Sequence, residues 1–115
     1  MILAKLTRSP GGSIEAFTVE NHGESFVCAG VSMLVLNTVN SIEALTGQKF
    51  TCDYHPDGGY ISFELKGQQD KDAALLLESM YLGLTGVKDQ YPTEIKTEVK
   101  TEIKTEVKTK IMLQT

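Results

Sequence analysis

From Phe26 to about Thr46 the chain changes its rhythm. Cys28, Val31, Val35, Val39, Ile42 and Leu45 recur at spacings of three and four, which lines them up along one stripe of a helix. Leu34 and Leu36 widen that stripe, so the helix must be covered over much of its surface. The segments around it alternate instead. MILAKLT and SIEAFTV read as two strands, with Ile14, Ala16 and Thr18 on one face of the second. The breakers of SPGG at 9–12 join them as a hairpin. Gly47 follows the helix as a C-terminal stop. Phe50, Cys52 and Tyr54 then alternate, as do Ile61, Phe63 and Leu65, on either side of the turn sequence HPDGG. DKDAALLLESMYLGLTGV is helical, with Leu77, Met80, Tyr81 and Leu84 on one stripe and Asp70 as N-cap. The order ββαββαβ predicts an α+β fold: a two-layer sandwich of a mostly antiparallel sheet with two helices packed on one face. Phe50, Cys52, Ile61, Phe63, Val35, Val39, Ile42, Leu77 and Leu84 are its expected core.

The last strand comes from an unusual segment, TEIKTEVKTEIKTEVKTKI, at 93–111. In a helix, a period of four stacks Glu94, Glu98 and Glu102 above one another, and the lysines likewise. In a strand, Ile95, Val99, Ile103 and Val107 share one face with the threonines, while Glu and Lys alternate on the other. The segment is therefore read as one long C-terminal strand of a single domain spanning 1–115, reaching past the usual strand length of about 5–6 residues.

Composition narrows the function classes. A formal net charge of −4 argues against a nonspecific nucleic-acid binder, which carries a basic patch, and favours a basic protein partner. Unbroken apolar runs fall short of the roughly 20 residues that cross a bilayer. MILAKLTRSPGG has no apolar core followed by a small-residue cleavage site. Two cysteines make no disulfide framework, so a cytoplasmic protein with reduced thiols is expected. There is no P-loop, no GxGxxG and no zinc-like ligand spacing, so neither cofactor nor metal is expected.

One pairing carries chemistry. His22 stands six residues before Cys28, on the loop that enters the first helix. A helix N-terminus stabilises a thiolate and a histidine supplies its base. Gly23 in the loop, and Ala29 and Gly30 beside the cysteine, leave room for a peptide backbone. Amides of the first turn are placed to hold an oxyanion. A buried cysteine at a helix start that merely packs is the competing reading. Cys52 alternates with Phe50 and Tyr54 and reads as core. His55 reads as a turn residue.

At these residues the chain resembles the ribosomal-processing cysteine protease (Prp) family. The matching stretch is His22, then Phe26-Val27-Cys28-Ala29-Gly30-Val31-Ser32. NTVNSIEALTG (37–47), DGGYISFEL (57–65) and LLLESMYLGLTGV (75–87) extend it through both helices and the second hairpin. The resemblance implies a peptidase with Cys28 as nucleophile and His22 as general base, with Ser25, Ala29, Gly30 and Ser32 in support. It implies that the peptidase removes the N-terminal extension from the precursor of large-subunit ribosomal protein number twenty-seven, and it implies a homodimer. A noncatalytic ribosome-associated binding module is the alternative. Three departures stand out. Asn21 replaces the family's glycine, Ser25 stands where an aspartate is usual, and the loop after His22 is several residues short.

Overall fold

A computed structural model describes residues 1–20, 26–55 and 59–102. Its elements are β1 (Ile2–Arg8), β2 (Ile14–Glu20), α1 (Phe26–Leu45), β3 (Lys49–Tyr54), β4 (Tyr60–Lys66), α2 (Lys71–Gln90) and β5 (Ile95–Thr101). The strands form one sheet in the order β3-β4-β2-β1-β5. Every neighbouring pair is antiparallel except β1 with β5. This is the ββαββαβ sandwich that the alternating rhythms predict.

Register explains which residues become core. Leu6 pairs with Phe17, Phe17 with Phe63, and Phe63 with Cys52. One row across the sheet is therefore apolar nearly from edge to edge. A second row runs through Ala4, Val19, Ile61 and Tyr54, and Ile2 opposite Ile95 starts a third. Partners directly across a ladder share a face, so these rows point together toward the helices. Phe63 stacks on Phe17 and on Phe50, each at a centroid distance of 5.0 Å. Burying a side chain of this size contributes roughly 1.5–3 kcal/mol from apolar transfer alone.

The helices bring their own stripes to this surface. Val27, Cys28, Val31, Val35, Thr38, Val39 and Ile42 of α1 are buried, as are Ala73, Leu77, Met80 and Leu84 of α2. By length and mean hydropathy (1.4) α1 is apolar enough to cross a membrane, yet its stripe packs as a core helix of the sandwich. The two helices run antiparallel: Phe26 at the start of α1 meets Tyr91, just past α2, edge-on at 5.8 Å. They approach closely where Gly83 faces Leu34. A methyl at Gly83 would come 2.8 Å from Leu34 Cδ2, so the missing side chain sets the helix separation there.

Polar groups fix the connections. Gln48 is buried between both helix–strand junctions. Its Nε2 donates to the carbonyls of Lys49 (2.8 Å) and Lys66 (3.1 Å), and its Oε1 accepts from the Asp70 amide at 2.7 Å. One side chain thus ties the exit of α1 to the entry of α2. On the other side Arg8 pairs with Glu78 of α2 and lies 5.3 Å from the centroid of Tyr81.

Several expectations need correction. On β2 the buried residues are Ile14, Phe17 and Val19, so Ile14 does not share a face with Ala16 and Thr18 as expected. The register with β1 slips between Thr7 and Arg8, so Thr7 pairs with Ala16 but Arg8 with Ile14. The extra residue is a β-bulge, and it turns Ile14 onto the same face as Phe17. Phe50 and Cys52 are only half-buried, because among the described residues β3 is an edge strand with β4 as its one neighbour. Leu45 ends α1 exposed at 73%, beyond the reach of the sheet. Gly47 is not in the left-handed region; among the described residues the positive-φ glycines are Gly12 (102°) and Gly67 (73°). Instead the Thr46 hydroxyl donates to the Ile42 carbonyl at 2.7 Å and accepts from the Gln48 amide at 3.1 Å, closing the helix end. The tail is a strand over Ile95–Thr101. The expected continuation to 111, with Ile103 and Val107, and most of the HPDGG turn lie outside the described residues.

Candidate active site

The two helix starts differ in chemistry. Asp70 caps α2, accepting from the amides of Asp72 (2.7 Å) and Ala73 (3.2 Å). Asp72 adds a second carboxylate to that turn, so its N-terminal partial charge is met within the chain. The first turn of α1 holds no acidic residue. It holds Cys28.

The Cys28 side chain turns inward with Val27 and Val31 and is 4% exposed. Ser32 follows four residues later, one helical turn along, and the two side chains are hydrogen-bonded. Burial pushes the thiol above its ordinary value, and the hydrogen bond from Ser32 pulls it back part of the way. Burial, the larger of the two effects, favours the protonated thiol. The thiol becomes a nucleophile only when a base takes its proton.

Ser32 also opens onto a small recess of about 50 Å³, lined by Val19, Ser32, Val35, Leu36, Tyr54, Tyr60 and Ile61. An apolar side chain seated there would lie one helical turn from the Cys28 sulfur. Tyr54 and Tyr60 form its outer wall, and the His55 ring meets Tyr60 edge-on at 5.2 Å. The alternating pattern of β3 and β4 places these tyrosines in strands. Only the strand order puts them beside α1, and that order is not written in local periodicity. Larger hollows, lined by Thr7, Glu64 and Lys100 among others, involve the sheet's uncovered polar face, away from the thiol.

Of the residues expected at the site, the structure brings Cys28 and Ser32 together. Ala29 and Gly30 lie on the exposed side of α1, and a methyl added at Gly30 would meet nothing within 4 Å. That surface is open to an approaching chain, but it is not the face that carries the sulfur. His22, Ser25 and the shortened loop after His22 fall outside the described residues. Cys52 stays in the core layer; burial raises its thiol, and the charge of Asp53 raises it further.

Comparison with known proteins places the fold in a family. The family described as cysteine protease Prp matches residues 1–96. The ribosomal processing cysteine protease Prp of Bacillus subtilis is 32% identical over 106 residues, covering 84% of this chain and 95% of that protein. The Prp of S. aureus, solved with a covalently linked product peptide, superposes with a TM-score of 0.82 at 26% identity, over 87% of this chain and all of that one. A Streptococcus mutans protein superposes at 0.79 with 30% identity, over 89% of this chain and 99% of its own. With residues 1–96 matching the family, a relative at 32% identity and a fold shared with solved members, this chain belongs to the Prp family of cysteine proteases.

Proposed function

We propose that this chain is a cysteine endopeptidase that trims the N-terminal extension from a ribosomal protein precursor, large-subunit protein number twenty-seven in the family resemblance. Cys28 is the nucleophile and His22 the general base. The observation that carries the reading is the position of Cys28: an N-terminal helix turn without a carboxylate, hydrogen-bonded to Ser32 beside an apolar recess. The S. aureus relative was solved with a covalently linked product peptide, in keeping with a peptide substrate for this chain.

The chemistry follows from these groups. His22 takes the thiol proton as Cys28 Sγ attacks the scissile carbonyl carbon. The carbonyl oxygen gains negative charge and is held by amides of the first turn of α1. The C–N bond breaks, and the histidine returns its proton to the departing amine. Water, activated by the same imidazole, then hydrolyses the thioester and frees the acid product and the thiol. Ser32 steadies the sulfur as its charge develops. Ser25, near the helix start in sequence, offers a hydroxyl where the family pattern has a carboxylate, so it orients the imidazole less strongly.

The acidic balance of the chain, −4, favours a basic ribosomal substrate. Two cysteines that make no disulfide framework favour a cytoplasmic setting, and the protein is taken to act as a homodimer. The test is incubation with the extended precursor, read by mass spectrometry of its N-terminus. The unaltered chain should shorten the precursor, and Cys28→Ala should not, while still retaining it. Binding without cleavage by both proteins would overturn the peptidase reading.

A further inference from the structure

We propose that the free edge of β5 is the surface on which two copies of this chain pair, the two β5 strands running antiparallel with Val99 on the two-fold axis. The inference rests on the homodimer reading above and gives it a location. Among the described residues β5 ends the sheet, with β1 on one side only. The Glu94 carbonyl accepts from the Ile2 amide at 2.9 Å, and the Glu102 amide donates to the Arg8 carbonyl at 2.7 Å. Backbone direction alternates along a strand, so even-numbered residues turn their polar groups to β1. Ile95, Thr97, Val99 and Thr101 present theirs outward, as an edge does that can accept another strand. Val99 is also 41% exposed, an apolar side chain that a neighbouring strand would cover.

The repeat selects the partner. Along β5 the uncovered face reads Lys96, Glu98, Lys100, with Glu102 next, and the Lys96 ammonium already sits 3.4 Å from Glu98. Placing a second β5 antiparallel about Val99 sets Glu98 opposite Lys100 and Lys96 opposite Glu102. The same alignment sets Thr97 opposite Thr101 and Val99 opposite itself. Sliding that pairing so that opposite residues move by two puts lysine on lysine; moving them by four restores the charge match but centres the pair on a threonine, so that Val99 no longer faces its own copy. A parallel pair in register does the same. A parallel pair offset by two matches the charges but sets each aliphatic residue against a threonine. Antiparallel self-pairing alone satisfies charge, apolar contact and hydroxyl contact together, and cross-strand pairs of these kinds are what stabilise a ladder. A two-fold through Val99 makes the interface isologous and closed, giving one continuous sheet across the dimer. The family match ends at residue 96, so most of this strand is outside it.

Sedimentation of the full chain tests the surface. The unaltered protein should dimerise. Glu98→Lys and Lys100→Glu should each weaken self-association by roughly tenfold or more, since symmetry spoils two opposed pairs at once. Mixing the two variants should restore a dimer, because the two reversed side chains then face each other. An unchanged far-ultraviolet circular dichroism spectrum and a cooperative melt of each variant show that the fold is intact. A Val99→Cys chain should also form an interchain disulfide, as facing α-carbons in such a pair are about 5.5 Å apart. A monomer at every soluble concentration would overturn both this inference and the homodimer reading. A dimer indifferent to both reversals would overturn the β5 surface and leave the homodimer standing.

Discussion

The two helices begin in opposite ways. At α2 the N-terminal amides are met by Asp70, with Asp72 alongside. At α1 no carboxylate stands in the first turn, and a buried cysteine stands there instead. One start is finished as structure. The other, among the described residues, has no carboxylate set against the partial positive charge of its first turn. Burial works against ionisation there by holding the Cys28 thiol above its ordinary value of 9.0, so the helix start alone does not make a nucleophile. A base must complete it.

The largest expected effect probes that need. His22→Ala should lower precursor cleavage by about 10²–10⁴-fold, the usual contribution of a positioned base. In this variant the Cys28 thiol should titrate above 9.0, and in the unaltered chain below its value in the variant, read by the pH dependence of alkylation. Cleavage that survives the substitution would assign the base elsewhere. The same shift has a stability counterpart. A thiol raised in the folded state supports folding fully below its ordinary value, and that support is lost as pH rises through the folded value. Cys28→Ala should therefore flatten the alkaline fall in stability.

The second effect tests whether both helices rest on one shared base. Phe63 sits between Phe17 and Phe50 in the apolar row of the sheet. Phe63→Ala should cost about 3–5 kcal/mol in denaturant unfolding, from lost transfer energy and the cavity left behind. A loss below about 1 kcal/mol would mean that the stack is not the centre of the core.

Much of this contrast was legible in the chain. Apolar spacing located both helices, and Asp70 before an apolar run announced its own cap. Cys28 could be marked by its place at a helix start after His22, and Ser32 by the family resemblance alone. Three things were not legible, each for a physical reason. The bulge after Ile14 reverses the face of β2, and no local alternation reports an inserted residue. The half-burial of Phe50 depends on β3 being an edge, which is a property of strand order. Tyr54 and Tyr60 reach the recess only because β2 carries α1 back across their hairpin, a long-range fact that no window of sequence contains.

A third effect sharpens the comparison from the side of α2. Asp70→Ala should cost about 1 kcal/mol, within the usual range for a lost N-cap, and leave cleavage unchanged because the site lies at the other helix start. Thermal unfolding and the cleavage rate, measured together, check it. A fall in rate beyond the loss of folded protein would show that the two helix starts are coupled.

The smallest effect reverses the design of α1. Ala29 is exposed in the first turns, beside Cys28. Ala29→Glu would give this helix the kind of carboxylate that α2 already has. A negative side chain near a helix N-terminus adds about 0.3–1 kcal/mol, so the melting temperature should rise slightly. The same charge opposes a thiolate next to it and raises its pKa further. Cleavage should then fall at neutral pH and recover in part as pH rises, because more thiolate forms at higher pH. Ala29→Gln fills similar space without the charge and should spare the rate. If the glutamate variant gained stability with no loss of rate, the missing acid in α1 would have no bearing on its cysteine. The difference between the two helix starts would then be one of packing alone.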